Sequence, residues 1–358
     1  MARTVSSESK QPSATRSPGT GARTSSVTLG AKRFSAGSQI TRKTAQPDKP
    51  SAWFKSAPVV LDANASVDDA IFVIITACRD HWQKNMPAAV NARLPEGLHQ
   101  VRVGLRRLRS ALTAFKKYIP ETQRAWLNAE AKWLLSQLGP ARDLDVFIQD
   151  LAEPFAERVS ENAELAQLMR VARAAQTRAH QAAARTLQGA RAMRFDGRLE
   201  AWLTGHEWRN SSDEKVRDSR SVSAADFSRR LLNRRLRNLR ADYNDIEALT
   251  VDERHEMRIA VKKTRYGAEF FQALLPVKRA QRFSGVLTDL QDNLGHLNDI
   301  DVAKRTIDML VNDASSGTER RQIAAGGSSI SAWHKNAAAE AAPKTAKLWR
   351  KLKKIPSF

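Results

Sequence analysis

From about Leu61 onward, apolar residues recur at three- and four-residue spacing, Ala and Leu dominate, and alternating strand-like runs are almost absent. The pattern predicts an all-α fold. Ser66 or Asp68 can cap a first helix that runs through Ile71, Ile74, Ile75 and Cys78, with Pro87 as its breaker. A second helix spans about Leu98 to Tyr118, preceded by Pro95 and Gly97 and closed by Pro120. A third covers about Glu121 to Leu138 and stops at Gly139-Pro140. Helical pattern resumes at Asp143 and continues, with a break at Pro154, to about Leu203. The polar stretch Gly205 to Ser223 reads as a linker, after which helical periodicity returns to near Ile355.

The chain repeats itself. His99-Gln-Val-Arg102-Val-Gly-Leu-Arg106-Arg107-Leu-Arg109 reappears, 156 residues later, as His255-Glu-Met-Arg258-Ile-Ala-Val-Lys262-Lys263-Thr-Arg265. At the same offset Phe115 falls on Phe271 and Pro120 on Pro276. A second block, Leu138-Gly139 through Asp143, Asp145 and Val146, falls on Leu294-Gly295 through Asp299, Asp301 and Val302. Eleven of 48 positions are identical without a gap. Two blocks held in register imply a duplicated helical unit, each a bundle of about four helices. The expected organisation is a tail over 1–60, a first bundle over 61–205 and a second over 222–356.

On a helical wheel, with His99 at zero, Arg102 lies near about 300°, Arg106 near about 340° and Arg109 near about 280°. Val101, Leu105, Leu108, Leu112 and Phe115 cluster near about 200°. One face packs; an adjoining edge carries an imidazole and three guanidiniums. His255, Arg258, Lys262 and Arg265 repeat the edge, while Arg107 and Lys263 point elsewhere. Six basic residues and no acid lie between Leu98 and Tyr118, so nothing within that helix neutralises the stripe. A duplicated row of this kind offers forked donors for phosphate oxygens. Beside three arginines, the protonated form of His99 is disfavoured, leaving a neutral imidazole that serves as ligand contact or as a packing group. Asp143, Asp145, Asp299 and Asp301 are placed to cap the next helix or to pair with stripe arginines. Arg230, Arg234, Arg235, Arg237 and Arg240 form another basic cluster, with Arg79 opposite Arg235 at the repeat offset.

Composition narrows the partner. The 59 Lys and Arg against 38 Asp and Glu give a formal charge of +21, which calls for a polyanion: nucleic acid, an anionic membrane or a phosphate polymer. A single cysteine, Cys78, excludes an internal disulfide framework and a Cys-rich zinc site, and fits a reducing, cytoplasmic setting. The most apolar run, Ala70 to Cys78, is too short to span a bilayer, and no apolar signal region follows the start. The first fifty residues carry nine basic residues against Glu8 and Asp48, a composition shared by transit peptides and disordered tails; a tail is assigned. No phosphate loop, dinucleotide fingerprint, H-E-x-x-H or G-x-S-x-G is present, and no metal or cofactor is expected. The eight Trp are spread along helices and form no base-stacking platform.

The duplicated His-x-x-Arg-x-x-x-(Arg/Lys)-(Arg/Lys)-x-Arg motif, with the Leu-Gly-x-x-(Arg/Asn)-Asp-x-Asp block after it, resembles the conserved histidine α-helical domain, CHAD, over about residues 61 to 356. That resemblance implies two related four-helix bundles facing each other across a basic channel that binds inorganic polyphosphate. It implies that His99, Arg102, Arg106, Arg109 and Lys116 line the channel with His255, Arg258, Lys262 and Arg265, Gln272 replacing Lys116 in the second unit. Arg107, Lys263 and Arg235 are further candidate contacts. No Glu-x-Glu-x-Lys marks the triphosphate-tunnel domain that accompanies many family members, so the expectation is a stand-alone, non-catalytic binding module, associated with polyphosphate granules. The alternatives are a helical nucleic-acid-binding protein, which would show base or groove preferences, and a metal-dependent phosphohydrolase using the His and Asp pairs. Oligomeric state is not readable.

Overall fold

The computed structural model describes residues 52–358, apart from 92, 161 and 211–213. In chain order its helices are α1 (Val67–Val90), α2 (Pro95–Ala114), α3 (Glu121–Gln137), α4 (Gly139–Val146), α5 (Glu153–Ala156), α6 (Ala163–Gln188), α7 (Ala190–Thr204), α8 (Glu214–Ser219), α9 (Ala224–Asp242), α10 (Val251–Phe270), α11 (Val277–Asn312) and α12 (Gly317–Lys353). A π-helical segment, Phe147–Ala152, joins α4 to α5. Among the described residues the only extended pairing is an isolated bridge between Ser66 and Ser223. The disorder expected of the basic tail falls on residues outside the described set, except at its end. There Phe54 donates its N–H to Asn85 Oδ1 at 2.9 Å and Val59 is buried, so packing starts ahead of Leu61.

Local chemistry sets the helix boundaries. Ser66 caps α1: its hydroxyl accepts from the Asp69 N–H while the Asp69 carboxylate accepts from the Ser66 N–H. Asp68 has another task, accepting from Trp208 Nε1 at 2.8 Å and from Arg209 Nε at 2.9 Å. Pro87 does not break α1. It lies in the last turn, where its missing N–H removes one bond and the helix closes on its carbonyl. Pro154 likewise sits in the first turn of α5, where no N–H is needed, and the interruption comes after it, ahead of the Asn162 cap of α6. Both described ends of the stretch read as a linker are built into the fold: Trp208 is fully buried, and the buried Arg220 donates to the carbonyls of Tyr118 and Arg209.

Glycines bring α1 and α2 close together. A Cβ on Gly97 would stand 2.6 Å from Ala88 Cβ, and one on Gly104 2.9 Å from Trp82 Cβ. Around this pair a first apolar core gathers α1, α2, α3, α7 and the C-terminal half of α6 with Phe227, Phe270 and Phe271 from the second half of the chain. Phe115 and its repeat partner Phe271 meet edge-on at 6.2 Å, so the duplicated units pack on each other through duplicated residues. A second core joins α9, α10, α11 and the end of α12. A third mixes both halves: Leu144, Phe147, Ile148 and Leu168 pack with Ile307, Leu310, Ile323 and Ile330. The repeat is not exact in shape. Leu138 ends α3, whereas the matching Leu294-Gly295 lies inside α11, a single helix of 36 residues. Pro140 interrupts the hydrogen-bond ladder; His296, at the matching position, keeps its N–H.

Candidate functional site

His99, Arg102, Arg106 and Arg109 lie along α2, and Arg258, Lys262 and Arg265 along α10. The two helices pack against each other, as do α4 and α11. Electrostatics shows that the stripes meet. His99 is pushed down to about 3, by burial first and then by the charges of Arg142, Arg106 and Arg102. It is therefore neutral at neutral pH, as the sequence predicts, although burial outweighs the arginines as the cause. Arg102, only 7% exposed, falls to about 9 through burial and then Arg106. Lys262, on the other helix, falls to about 7 through burial, then Arg258 and then Arg106, against an opposing pull from Asp299. Burial also lowers Arg109 and Arg258, and Arg106 adds to both. Arg106 thus acts on cations of both repeats.

The guanidiniums are anchored from behind. Arg102 Nη1 donates to the Leu135 carbonyl at 2.6 Å. A Cβ on Gly139 would stand 4.0 Å from Arg102 Nη1, and one on Gly295 3.6 Å from Arg258 Nη2. The duplicated glycine is a seat for the duplicated arginine, in one repeat at a helix junction and in the other within a helix. Arg109 Nε donates to Asn128 Oδ1 and Arg265 Nε to Gln291 Oε1, both at 2.9 Å, and Arg265 also pairs with Glu269. The Nε atoms of Arg102 and Arg258 are buried without a hydrogen-bond partner among the described residues.

Carboxylates are present but do not balance these charges. Asp143 and Asp145 do not cap, because α4 already starts at Gly139. Asp145 is fully buried, bonded to His180 Nε2 at 2.7 Å and accepting from Gln176 at 2.8 Å. Asp299 stands 3.9 Å from Arg258, and Asp150 3.9 Å from Arg142. Asp301 lies within α11 and faces Lys304 at 3.8 Å. Burial holds Asp143 and Asp150 above the ordinary carboxylate range despite Arg102 and Arg142 respectively. Among the described residues, no group of three or more His, Cys, Asp or Glu is arranged to hold a metal ion. No described helix is long and apolar enough to cross a membrane.

Other sequence candidates lie differently. Arg107 is 2% exposed, its guanidinium 5.5 Å from the Phe270 ring centroid, and offers nothing to solvent. Arg235 donates to the Lys263 carbonyl and fills the space that a side chain at Gly267 would need, while Lys263 itself is exposed. Arg79, opposite Arg235 in the repeat, pairs with Asp196 and Glu200 instead. Lys116 is exposed in the turn after α2, which ends at Ala114. His255 is exposed where His99 is half-buried. Two cations that were not among the candidates join the cluster. Arg142 was signalled by the repeated block; Arg305, whose charge acts on Asp143, has Gln149 at the repeat offset and gives no such signal.

The family model for the CHAD domain matches residues 73–308 of this chain. The crystal structure of the CHAD domain from the plant Ricinus communis is similar at a TM-score of 0.72 and 28% identity, covering 86% of this chain and 98% of that one. PptA from Streptomyces chartreusis has a similar fold, with a TM-score of 0.55 at 13% identity, covering 80% of this chain and 100% of that one. No curated protein matches the sequence.

Proposed function

The chain belongs to the CHAD domain family, and from that premise we propose that it is a non-catalytic binder of inorganic polyphosphate. The polymer runs in a basic channel between two related helical units, gripped by Arg102, Arg106 and Arg109 of α2 and Arg258, Lys262 and Arg265 of α10. The observation that carries the reading is that buried cations of the two stripes lie close enough for Arg106 of α2 to act on Arg258 and Lys262 of α10. Lys262 is held at about 7 and Arg102 at about 9, each with Arg106 among the causes after burial. Cations that burial and their neighbours both disfavour are stabilised by any polyanion that enters among them. Polyphosphate suits such a site because it has charge and flexibility but no bases to read. Guanidinium forks supply bidentate hydrogen bonds, and displaced counterions make the affinity salt-dependent. His99 enters as a neutral donor or acceptor. The basic N-terminal segment adds loose, salt-sensitive affinity and helps to recruit the protein to cytoplasmic polyphosphate granules.

Duplex nucleic acid shares the charge argument but needs exposed side chains, whereas Arg102 is buried and Arg106, Arg109, Arg258, Lys262 and Arg265 are only part-exposed. Calorimetric titration separates the readings. Long-chain polyphosphate is titrated at ~150 mM salt, where loose surface electrostatics are well screened, with duplex DNA and ATP as competitors. Arg106→Gln/Arg258→Gln should weaken polyphosphate binding at least about tenfold, which is ~1.4 kcal/mol, and DNA should displace the polymer poorly. Equal binding of all three polyanions, indifferent to the substitutions, would overturn the proposal.

A further inference from the structure

Some exposed cations of this chain are neutralised, Arg191 by Glu130, Arg198 by Glu207 and Arg209 by Asp68, and others, such as Lys132, Arg178 and Arg194, have no ion-pair partner among the described residues. On α9 and the end of α12 unpaired cations line up on one outer face of each helix. Arg230, Arg234 and Arg237 on α9, and Lys347, Lys351 and Lys354 at the end of α12, are exposed, and none has an ion-pair partner among the described residues. Both triplets follow i, i+4, i+7 spacing, which puts each on one face of its helix. In both helices that face lies opposite the side chains given to the shared core, Leu232 and Leu239 in α9 and Trp349 and Leu352 in α12. Neither 229–241 nor 343–358 contains an acid. A merely solubilising surface intersperses both signs.

The two helices are tied at their ends. Asn233 donates to the Phe358 carbonyl at 3.0 Å and accepts from its N–H at 2.8 Å, and Arg240 donates to the Ile355 carbonyl. Lys353 Nζ donates to the Asn244 carbonyl at 3.2 Å. We propose that the two stripes form a second polyanion-binding face, outside the channel, that holds a remote stretch of the same phosphate polymer. The inference rests on the channel reading above. The face suits phosphates and not bases, since its aromatic, Trp349, is buried. It is also near the channel. Arg235 pins α9 onto α10, the helix that carries Lys262, so the face lies one helix away from that stripe. A polymer long enough to reach both seats gains from the effective concentration of the second; a short one does not.

The test uses the full chain, with tripolyphosphate, long-chain polyphosphate and duplex DNA as probes. The variant is Arg234→Gln/Arg237→Gln/Lys351→Gln/Lys354→Gln, all at exposed positions where substitutions leave folding nearly unchanged. Long-chain affinity should fall at least about tenfold, with a shallower salt dependence, while tripolyphosphate affinity stays as in the wild type. Unchanged long-chain affinity overturns the second face. Loss of duplex DNA binding alone also overturns it, and assigns the face to nucleic acid. A different pattern isolates the channel: wild type and Arg106→Gln/Arg258→Gln binding tripolyphosphate equally poorly would sink that reading, while the four-site variant still decides the outer face by its long-chain affinity.

Discussion

Lys262 is poised to change charge near neutral pH. Lysine ordinarily titrates at 10.5 and this one at about 7, by burial first and then Arg258 and Arg106. The folded chain therefore binds this proton more weakly than the unfolded chain. Across roughly pH 7 to 10.5, Lys262 makes stability rise with pH, and below that window its penalty is constant. A polyanion in the channel favours the ammonium form and reverses the shift. Binding at about pH 8 should thus take up protons, approaching one per site, and affinity should rise as pH falls from about 9 to about 6.5. Calorimetry in two buffers of different ionisation enthalpy measures the uptake, and Lys262→Met should abolish it. Uptake unchanged in that variant would place the titrating group elsewhere. The stripe that includes Lys262 was legible in the sequence, as was the neutral state of His99. Its depth was not, because spacing on one helix says nothing about what covers it. For the same reason the wheel could set Arg107 aside but could not show it buried on Phe270.

At the scale of elements, glycines decide how closely helices approach. Gly104→Ala would set a Cβ 2.9 Å from Trp82 Cβ and 3.0 Å from the Trp82 nitrogen, which cannot yield without moving α1 from α2. The expected cost is about 1–3 kcal/mol, read as a lowered midpoint in chemical denaturation. Gly295→Ala, with its nearest neighbour the Arg258 guanidinium at 3.6 Å, should be near neutral for stability. The first three helices were readable one by one, because apolar periodicity and a cap such as Ser66 are local, whereas beyond Ser223 only helical character as such was read. Prolines misled where position within the helix mattered more than presence. Pro87 falls in a last turn, where the helix forgoes one bond just before it ends, and Pro154 in a first turn, where a missing N–H costs little. The Leu-Gly blocks misled similarly, since only the copy followed by Pro140 is a helix end.

The whole molecule is held by a core that neither repeat owns. Phe147 and Leu168 of the first half pack with Ile307, Ile323 and Ile330 of the second, across separations that no local pattern encodes. Phe147→Ala removes a fully buried ring there and should cost about 3–5 kcal/mol. Because the core is shared, denaturant should unfold both halves of the variant together, at a lower midpoint. Tryptophan fluorescence and far-ultraviolet circular dichroism would check this, and two separated transitions would contradict it. The duplication itself was plain from the sequence; the third core was not.

The same duplication leaves the molecule lopsided in a mechanical sense. Beside α2 the chain breaks at Leu138, restarts as the short α4 and passes into a π-helical segment, whereas beside α10 it runs unbroken through the 36 residues of α11. One side is jointed and the other is a beam. Under a load between them the jointed side is the more compliant, because its shorter pieces shift with fewer backbone hydrogen bonds at stake.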